Sequence, residues 1–367
     1  MWEGETTVAK VMSGAEAASR RVTLARVAEE AGVSIATASK VVNGRAGVGP
    51  RTRQNIEDIV DRLGYVAVGE RARPVRGVRE PLIEFIVDSL RSPHTLALLS
   101  GAALAAQDGE AAIVVRRLAA VEQESHARWA QRVARGGRIG VVEVTSEFSI
   151  TRERALKAVG LPVVLVDPIH LPRTNVVSVG ATNWAGGMEA TRHLLDLGHT
   201  EIAYLGGPSG SVVDIARMHG YAAAMQQAGI IVDIGAPAHG PFTFEHGREA
   251  GLRLLDRPDR PTAIFAGSDV TAMGVMEAAR TLGISIPGRL SLVGFDDTML
   301  AQTASPQLTT VHQPLEEIGR TAVETVLRLA RGETLHAKRV ELATHLVARG
   351  STAEPAPRSP DDGQVRS

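Results

Sequence analysis

The sequence predicts an N-terminal all-α helix-turn-helix headpiece followed by an α/β body of two lobes with parallel sheets. Three observations predict it. Residues 22–66 carry three short amphipathic patterns, each with its own start and stop signals. From 82 to about 349, near-continuous apolar runs alternate with amphipathic helical stretches, as in parallel strands covered on both faces. The chain has 367 residues, 44% hydrophobic and 22% charged, too long for one small domain and too apolar for wholesale disorder.

Taken in order, residues 1–20 lack hydrophobic periodicity and read as a disordered leader. The first helix has Thr23 as N-cap, carries Leu24, Val27, Ala28 and Ala31 on one face, and stops at Gly32. The second starts at the cap Ser34 and runs to about Asn43, with Gly44 behind it. The third opens with Pro50 in its first turn and continues to Leu63-Gly64. Residues 67–81, with Pro74, Pro81 and several arginines but no apolar face, read as a linker. Candidate strands are Leu82–Asp88, Ala111–Arg117, Ile139–Val144, Val163–Asp167, Ile202–Gly206, Thr262–Gly267 and Leu290–Asp296. Helical stretches fall near 95–107, 122–135, 184–197, 217–228, 244–255, 270–282 and 315–331. The tail 350–367 is rich in Pro, Asp and Ser and reads as disordered.

Composition removes several function classes. With no Cys there are no disulfides, no thiolate chemistry and no cysteine-ligated zinc. No apolar run reaches the roughly 18 residues of a membrane span, and Met1-Trp2-Glu3-Gly4-Glu5 puts acid where an export signal needs base. A soluble cytoplasmic protein is expected. There is no GxxxxGK[ST] loop, and the run Gly206–Ser211 misses the GxSxG spacing. The 11 His show no HExxH and no paired spacing on a helix, so no metal is expected, and no cofactor is expected either. No catalysis is predicted. Net charge is −1, yet 20–79 hold twelve Lys/Arg against six acids, a +6 head on a −7 remainder. Such a head suits a polyanion, or is a solvated charged surface.

On a helical wheel from Ile35, residues Ala38, Val41 and Val42 face the neighbouring helices, while Ile35, Ala36, Ser39 and Lys40 face outward within roughly 140°. The outward face suits the major groove. Lys40 can donate to guanine, and Ile35 and Ala36 can pack on thymine methyls. Thr23, Ser34, Thr37, Asn43 and Thr52 can bond phosphates.

The run VTLARVAEEAGVSIATASKVVNGRAGVGPRTRQNIEDIVDRLGYVA, Val22 to Ala67, closely resembles the headpiece of the LacI/GalR (lac-repressor) family of transcription regulators. Further matches follow in the family's order. They are Leu-Gly-His at 197–199, Arg217 before Gly220-Tyr221, Ser268-Asp269, Val-Gly-Phe-Asp-Asp at 293–297 and Leu-Thr-Thr-Val-His-Gln at 308–313. The resemblance covers 22 to about 349 and implies a periplasmic-binding-protein-like body. By it the first lobe takes about 82–180 and 312–338, and the second about 181–311 and 339–349. It further implies Tyr65 among the DNA-contacting residues, double-stranded operator DNA as partner, a homodimer, and a small effector, a sugar first and a purine or other molecule second. A tetramer is not expected, because no apolar heptads follow 349.

The linker departs from the family. Members usually follow the headpiece with a helix whose Leu wedges into the minor groove and kinks the DNA. Here Ala67-Val68 replace the usual pair, Arg71 stands for the helix Ala, and Pro74 for the Leu. The apolar wedge is therefore expected to be missing. Arg71, Arg73 and Arg76 either reach the backbone or a narrow minor groove, or form a solvated linker.

Ligands of open parallel sheets bind beyond the carboxyl ends of strands. Ser89, Asp167, Ser268-Asp269 and Asp296-Asp297 follow strands there, and carboxylates with an Arg and the aromatic Phe242 suit a neutral polyhydroxylated ligand. The resemblance aligns Ser89, Asp167, Arg217, Phe242, Ser268 and Asp296 with effector-contacting positions and brings Trp184 near the cleft. It also puts Leu315 where many members have a cleft aromatic. Asp269 is expected as a helix N-cap and Asp297 as a structural cap. A solute-binding protein for carbohydrate capture and a sugar-processing enzyme are the rival readings.

Overall fold

The computed structural model describes residues 22–43, 45–63, 65, 80–170, 176–233 and 238–357. The expected leader, the linker residues Ala67, Val68, Arg71, Arg73, Pro74 and Arg76, and the last ten residues lie outside the described residues.

The first unit is built from α1 (Leu24–Glu30), α2 (Ile35–Val42) and α3 (Pro50–Leu63). Thr23 Oγ1 accepts from Arg26 N, and Ser34 Oγ accepts from Thr37 N at 3.1 Å, so each cap satisfies an amide the helix leaves open. Gly32, at φ +64°, makes the turn between α1 and α2. Val27, Ala28, Ala38, Val41, Ile56, Ile59 and Val60 are buried.

The second unit has two sheets. The first runs in the order β10-β5-β4-β3-β1-β2, all parallel, from β1 (Leu82–Val87), β2 (Ala112–Arg117), β3 (Arg138–Val144), β4 (Val163–Val166), β5 (Val177–Ala181) and β10 (Arg339–Leu342). The second runs β11-β9-β8-β7-β6, from β6 (Ile202–Leu205), β7 (Ala263–Ala266), β8 (Ser291–Asp296), β9 (Thr309–His312) and β11 (His345–Val347). Only its edge strand β11 is antiparallel. The first sheet packs one face on α4 (Pro93–Asp108) and α13 (Leu315–Ala330), the other on α6 (His126–Arg135) and α7 (Ile150–Ala158). The second lies between α8 (Asn183–Asp196) with α9 (Val212–Gln227), and α10 (Phe244–Leu255) with α11 (Asp269–Thr281). Short helices α5 (Leu118–Glu122) and α12 (Met299–Thr303) complete the lobes. Burial on both faces is why these strands read as continuous apolar runs.

Three helix pairs cross at reciprocal glycines. Gly101 and Gly319, Gly187 and Gly220, and Gly247 and Gly274 each lie where a Cβ would fall within 2.2 Å of a carbonyl oxygen on the opposite helix. The α8–α9 crossing thereby sets where Arg217 stands.

The chain passes between lobes at Thr182, at Gln313-Pro314 and at Ala343-Thr344. Two of these crossings are stitched together: Thr344 N donates to Thr182 Oγ1 at 3.0 Å and Thr182 N to Leu342 O at 2.9 Å.

Several expectations need correction. Residues 339–342 belong to the first sheet, not the second lobe, because β10 pairs with β5; the crossing falls at 343–344. Strands β5, β9, β10 and β11 and helices α7 and α12 are additional, the stretch expected at 122–135 is split into α5 and α6, and α9 starts at Val212 rather than 217. The tail is ordered through 357. Ser351 is fully buried, its hydroxyl donating to Leu292 O at 2.6 Å and accepting from Thr309 N at 2.8 Å, while His199 Nε2 lies 2.9 Å from Ala353 O. A polar composition misled there, because the segment satisfies its groups on the sheet. Among the described residues no helix is long and apolar enough to cross a membrane.

Candidate functional site

Helix α2 carries the first candidate surface. Ile35, at 55% exposure, stands out with Ala36 and Lys40, Ser39 and Thr37 are half-buried, and Ala38 and Val41 are buried. Thr23, Ser34 and Asn43 are exposed and Thr52 is half-buried. Asn43 Nδ2 donates to Ser39 O at 2.8 Å and closes the end of α2. Ser34 Oγ lies 2.8 Å from Thr37 Oγ1. Tyr65 is the exception among the expected DNA contacts. It is buried, at 3% exposure, where the other expected DNA contacts are exposed or half-buried.

The second site lies between the lobes, at the carboxyl ends of β4, β7 and β8. Arg217, from the middle of α9, is almost fully buried. Its Nε donates to Asn183 Oδ1 at 2.8 Å and its Nη1 to Gly267 O at 2.6 Å. The guanidinium lies 3.8 Å above the Phe295 ring and 5.6 Å from that of Phe242. Asp296 Oδ1 lies 3.8 Å from Arg217 Nη1 and accepts from Gln313 Nε2 at 2.6 Å. Asp167, from the other lobe, faces His94 Nε2 at 3.6 Å.

The two acids share a backbone signature. Asp167, just past β4, has φ +43° and Asp296, the last residue of β8, has +115°, a strained positive-φ setting. Burial raises the Asp296 pKa, opposed by Arg217, His94 and Gln313, while the charge of Asp167 adds to the rise. For His94, burial alone would lower the pKa; the contact with Asp167 and the charge of Asp296 outweigh it and raise the value, against Arg217.

A cavity of about 290 Å³ adjoins this cluster, lined by Asp167, Asn183, Trp184, Val213 and Ala216 with the edge strand residues Arg339–Glu341. Trp184 is half exposed on its rim. Two buried acceptors, Asp167 Oδ2 and Gln313 Oε1, have no hydrogen-bond donor.

The structure thus gathers Asp167, Arg217, Phe242, Asp296 and Trp184. Ser268 is placed differently: it is itself the N-cap of α11, accepting from Thr271 N at 3.2 Å. Asp269 is therefore no cap. It sits one residue further on, buried, accepting from Thr298 N at 2.7 Å and Thr310 Oγ1 at 2.6 Å. Burial and the charge of Asp296 push its pKa up to about 8. Asp297 caps nothing either, since it holds His312 Nδ1 at 3.0 Å and Arg349 Nη2 at 2.5 Å. Ser89 accepts from Arg91 N at 3.1 Å, a bond within its own loop between β1 and α4. Leu315 is buried in the first lobe's core. His94, Asn183 and Gln313 are additions. Gln313 closes the Leu-Thr-Thr-Val-His-Gln run at 308–313 and Asn183 starts a helix, whereas His94 has no local signal beyond a Pro93 helix start past β1.

Residues 23–67 match the family model described as bacterial regulatory proteins, lacI family, and residues 191–352 match that of a periplasmic binding protein-like domain. The HTH-type transcriptional regulator DegA of Bacillus subtilis is 32% identical over 337 residues, 91% of this chain and 98% of that protein. A solved transcriptional regulator CelR–cellobiose complex superposes with a TM-score of 0.70 at 30% identity, covering 90% of this chain and 100% of that one. The lac repressor dimer bound to operator and the anti-inducer ONPF gives 0.65 at 26% identity, covering 91% and 100%.

Proposed function

Because the chain belongs to the LacI family and is a DNA-binding transcription regulator, we propose that it is a repressor whose grip on its operator is set by a neutral sugar held between the lobes. It acts as a homodimer on a near-palindromic site, in the cytoplasm, and leaves its ligand chemically unchanged. The headpiece spans about 21–66. Ile35, Ala36, Ser39 and Lys40 of α2 meet base edges while Thr23, Ser34, Thr37, Asn43 and Thr52 meet phosphates.

One observation carries the ligand class. Asp167 Oδ2 and Gln313 Oε1 are buried acceptors without donors, in a cleft that also holds a second carboxylate. Each such atom costs about 1–3 kcal/mol, recovered by a ligand that brings O–H donors. A sugar brings several, and its apolar face suits Trp184 or Phe242. At about 290 Å³ the cavity stands at the small end of ligand pockets, which favours a mono- or disaccharide. The cellobiose bound by the similar CelR supports the same class.

The switch works through the three crossings. A ligand that contacts both lobes favours the arrangement in which Asp167 and Asp296 face each other, and a few kcal/mol of differential affinity suffices to shift the population. Thermal shift of the full chain against a panel of mono- and disaccharides tests this reading. At least one neutral sugar is expected to raise the melting temperature and change mobility of a complex with the chain's own upstream DNA. Binding restricted to anionic or apolar molecules would contradict it.

A further inference from the structure

We propose that His94 is a specificity residue of the cleft, which together with Asp167 holds one particular hydroxyl of the effector. The inference rests on the neutral-sugar reading above and deepens it by naming the residue that reads a single ligand group.

His94 occupies the first turn of α4, which Ser92 caps and Pro93 opens, just past the carboxyl end of β1. Its side chain is 18% exposed, enough to meet a ligand and too little to swing free. Asp167 Oδ1 lies 2.6 Å from where a Cβ on residue 180 would stand, so Gly180 makes the room for this carboxylate. The backbone of Asp167 is anchored as well, its N donating to Val179 O at 3.1 Å.

The other carboxylate oxygen, Oδ2, is buried and without a donor, and His94 Nε2 stands 3.6 Å from it. That separation is too long for a hydrogen bond and fits an oxygen placed roughly 2.8 Å from each atom. Such an oxygen must donate to Oδ2 and accept from Nε2–H, and a hydroxyl does both at once. An ether oxygen satisfies only the imidazole, and a phosphate meets the Asp167 charge. The charged groups around His94 are Asp167 at the end of β4, Asp296 at the end of β8 and Arg217 from α9. The two acids favour the protonated ring, in which Nε2 remains a donor.

The test uses the full chain, a panel of cellobiose, D-glucose, D-galactose and D-ribose, and monodeoxy derivatives of whichever sugar binds, by calorimetric titration. In the wild type one deoxy position is expected to lose about tenfold or more in affinity, because both clamp atoms then go unpaired. His94→Phe, which keeps a ring and removes the donor, should bind the parent sugar about tenfold more weakly and penalise that deoxy analogue severalfold less than wild type does, the part owed to Asp167 remaining. Other deoxy positions should keep their penalties, and His94→Gln should restore part of the discrimination. A sugar that binds wild type and His94→Phe alike, with unchanged penalties at every position, overturns the proposal alone. If no panel sugar binds at all, the sugar reading and the proposal fall together.

Discussion

Helix α2 turns Ile35, Ala36 and Lys40 outward, while the cleft keeps Arg217 and Asp296 at 3% and 5% exposure. The headpiece face is assembled from one helix, capped by its own Ser34, and every residue on it lies within eight positions of the next. The cleft is assembled from the ends of β4 and β8, the starts of α4 and α8, the middle of α9 and one interlobe crossing. One surface presents groups that water already satisfies. The other stores buried charge, left-handed acids and two acceptors without donors. A surface of the first kind tolerates substitution and loses only contacts. A site of the second kind loses stability and response together.

The sharpest way to break that contrast is Arg217→Ala. It leaves Asp296 buried with Gln313 and the charge of His94 but without its guanidinium, and removing one partner of a buried pair costs about 3–5 kcal/mol. Urea unfolding should show that loss, with no sugar-induced thermal shift; a stability within 1 kcal/mol of wild type would make the cluster a surface feature. Next in size is Gly187→Val, where the new side chain meets the Arg217 carbonyl oxygen. We expect about 2–3 kcal/mol of destabilisation. Unaltered melting would mean the α8–α9 crossing does not set the site.

In the headpiece the expected effects are on binding instead. Lys40→Ala should weaken operator binding by about 1–3 kcal/mol with little change in melting temperature. Fluorescence anisotropy on operator DNA checks this, and equal affinity of the two proteins would remove α2 as the reading helix.

How far the sequence could be read follows the same division. Thr23, Ser34, Pro50 and Gly32 are local signals, and α1 to α3 came out where those signals put them. Asp167, Arg217 and Asp296 were legible from strand ends and from resemblance, and they do converge. His94 and Gln313 join only through contacts between distant segments, His94 with Asp167 and Gln313 with Asp296, which no periodicity encodes. Strand β10 has an exposed-to-intermediate pattern because it is an edge, so its apolar signal is weak. Ser268 and Asp269 were exchanged because adjacent polar residues at a helix start look alike until the backbone is known.

Smaller effects refine the cleft. The His94 pKa is raised on folding, so its stabilising contact is fully present below the usual histidine range, near pH 6.5, and fades as pH rises through the raised value. The melting difference between wild type and His94→Phe should therefore shrink between pH 5.5 and pH 8.5. A difference constant across that range would mean His94 carries no charge in the folded chain. Thr344→Val removes the hydroxyl that donates to Thr182 O at 3.2 Å, and about 1 kcal/mol is expected. A larger loss would mean the crossing supports more than a hinge.

The coupling of crevice to headpiece is tested most directly by anisotropy titration of the full chain against its own upstream DNA, with and without the sugar that most raises its melting temperature. The account predicts that operator affinity changes by tenfold or more in wild type and not at all in Arg217→Ala, whose affinity for DNA without sugar stays near that of the parent. Equal operator affinity in the presence and absence of a bound sugar would contradict it.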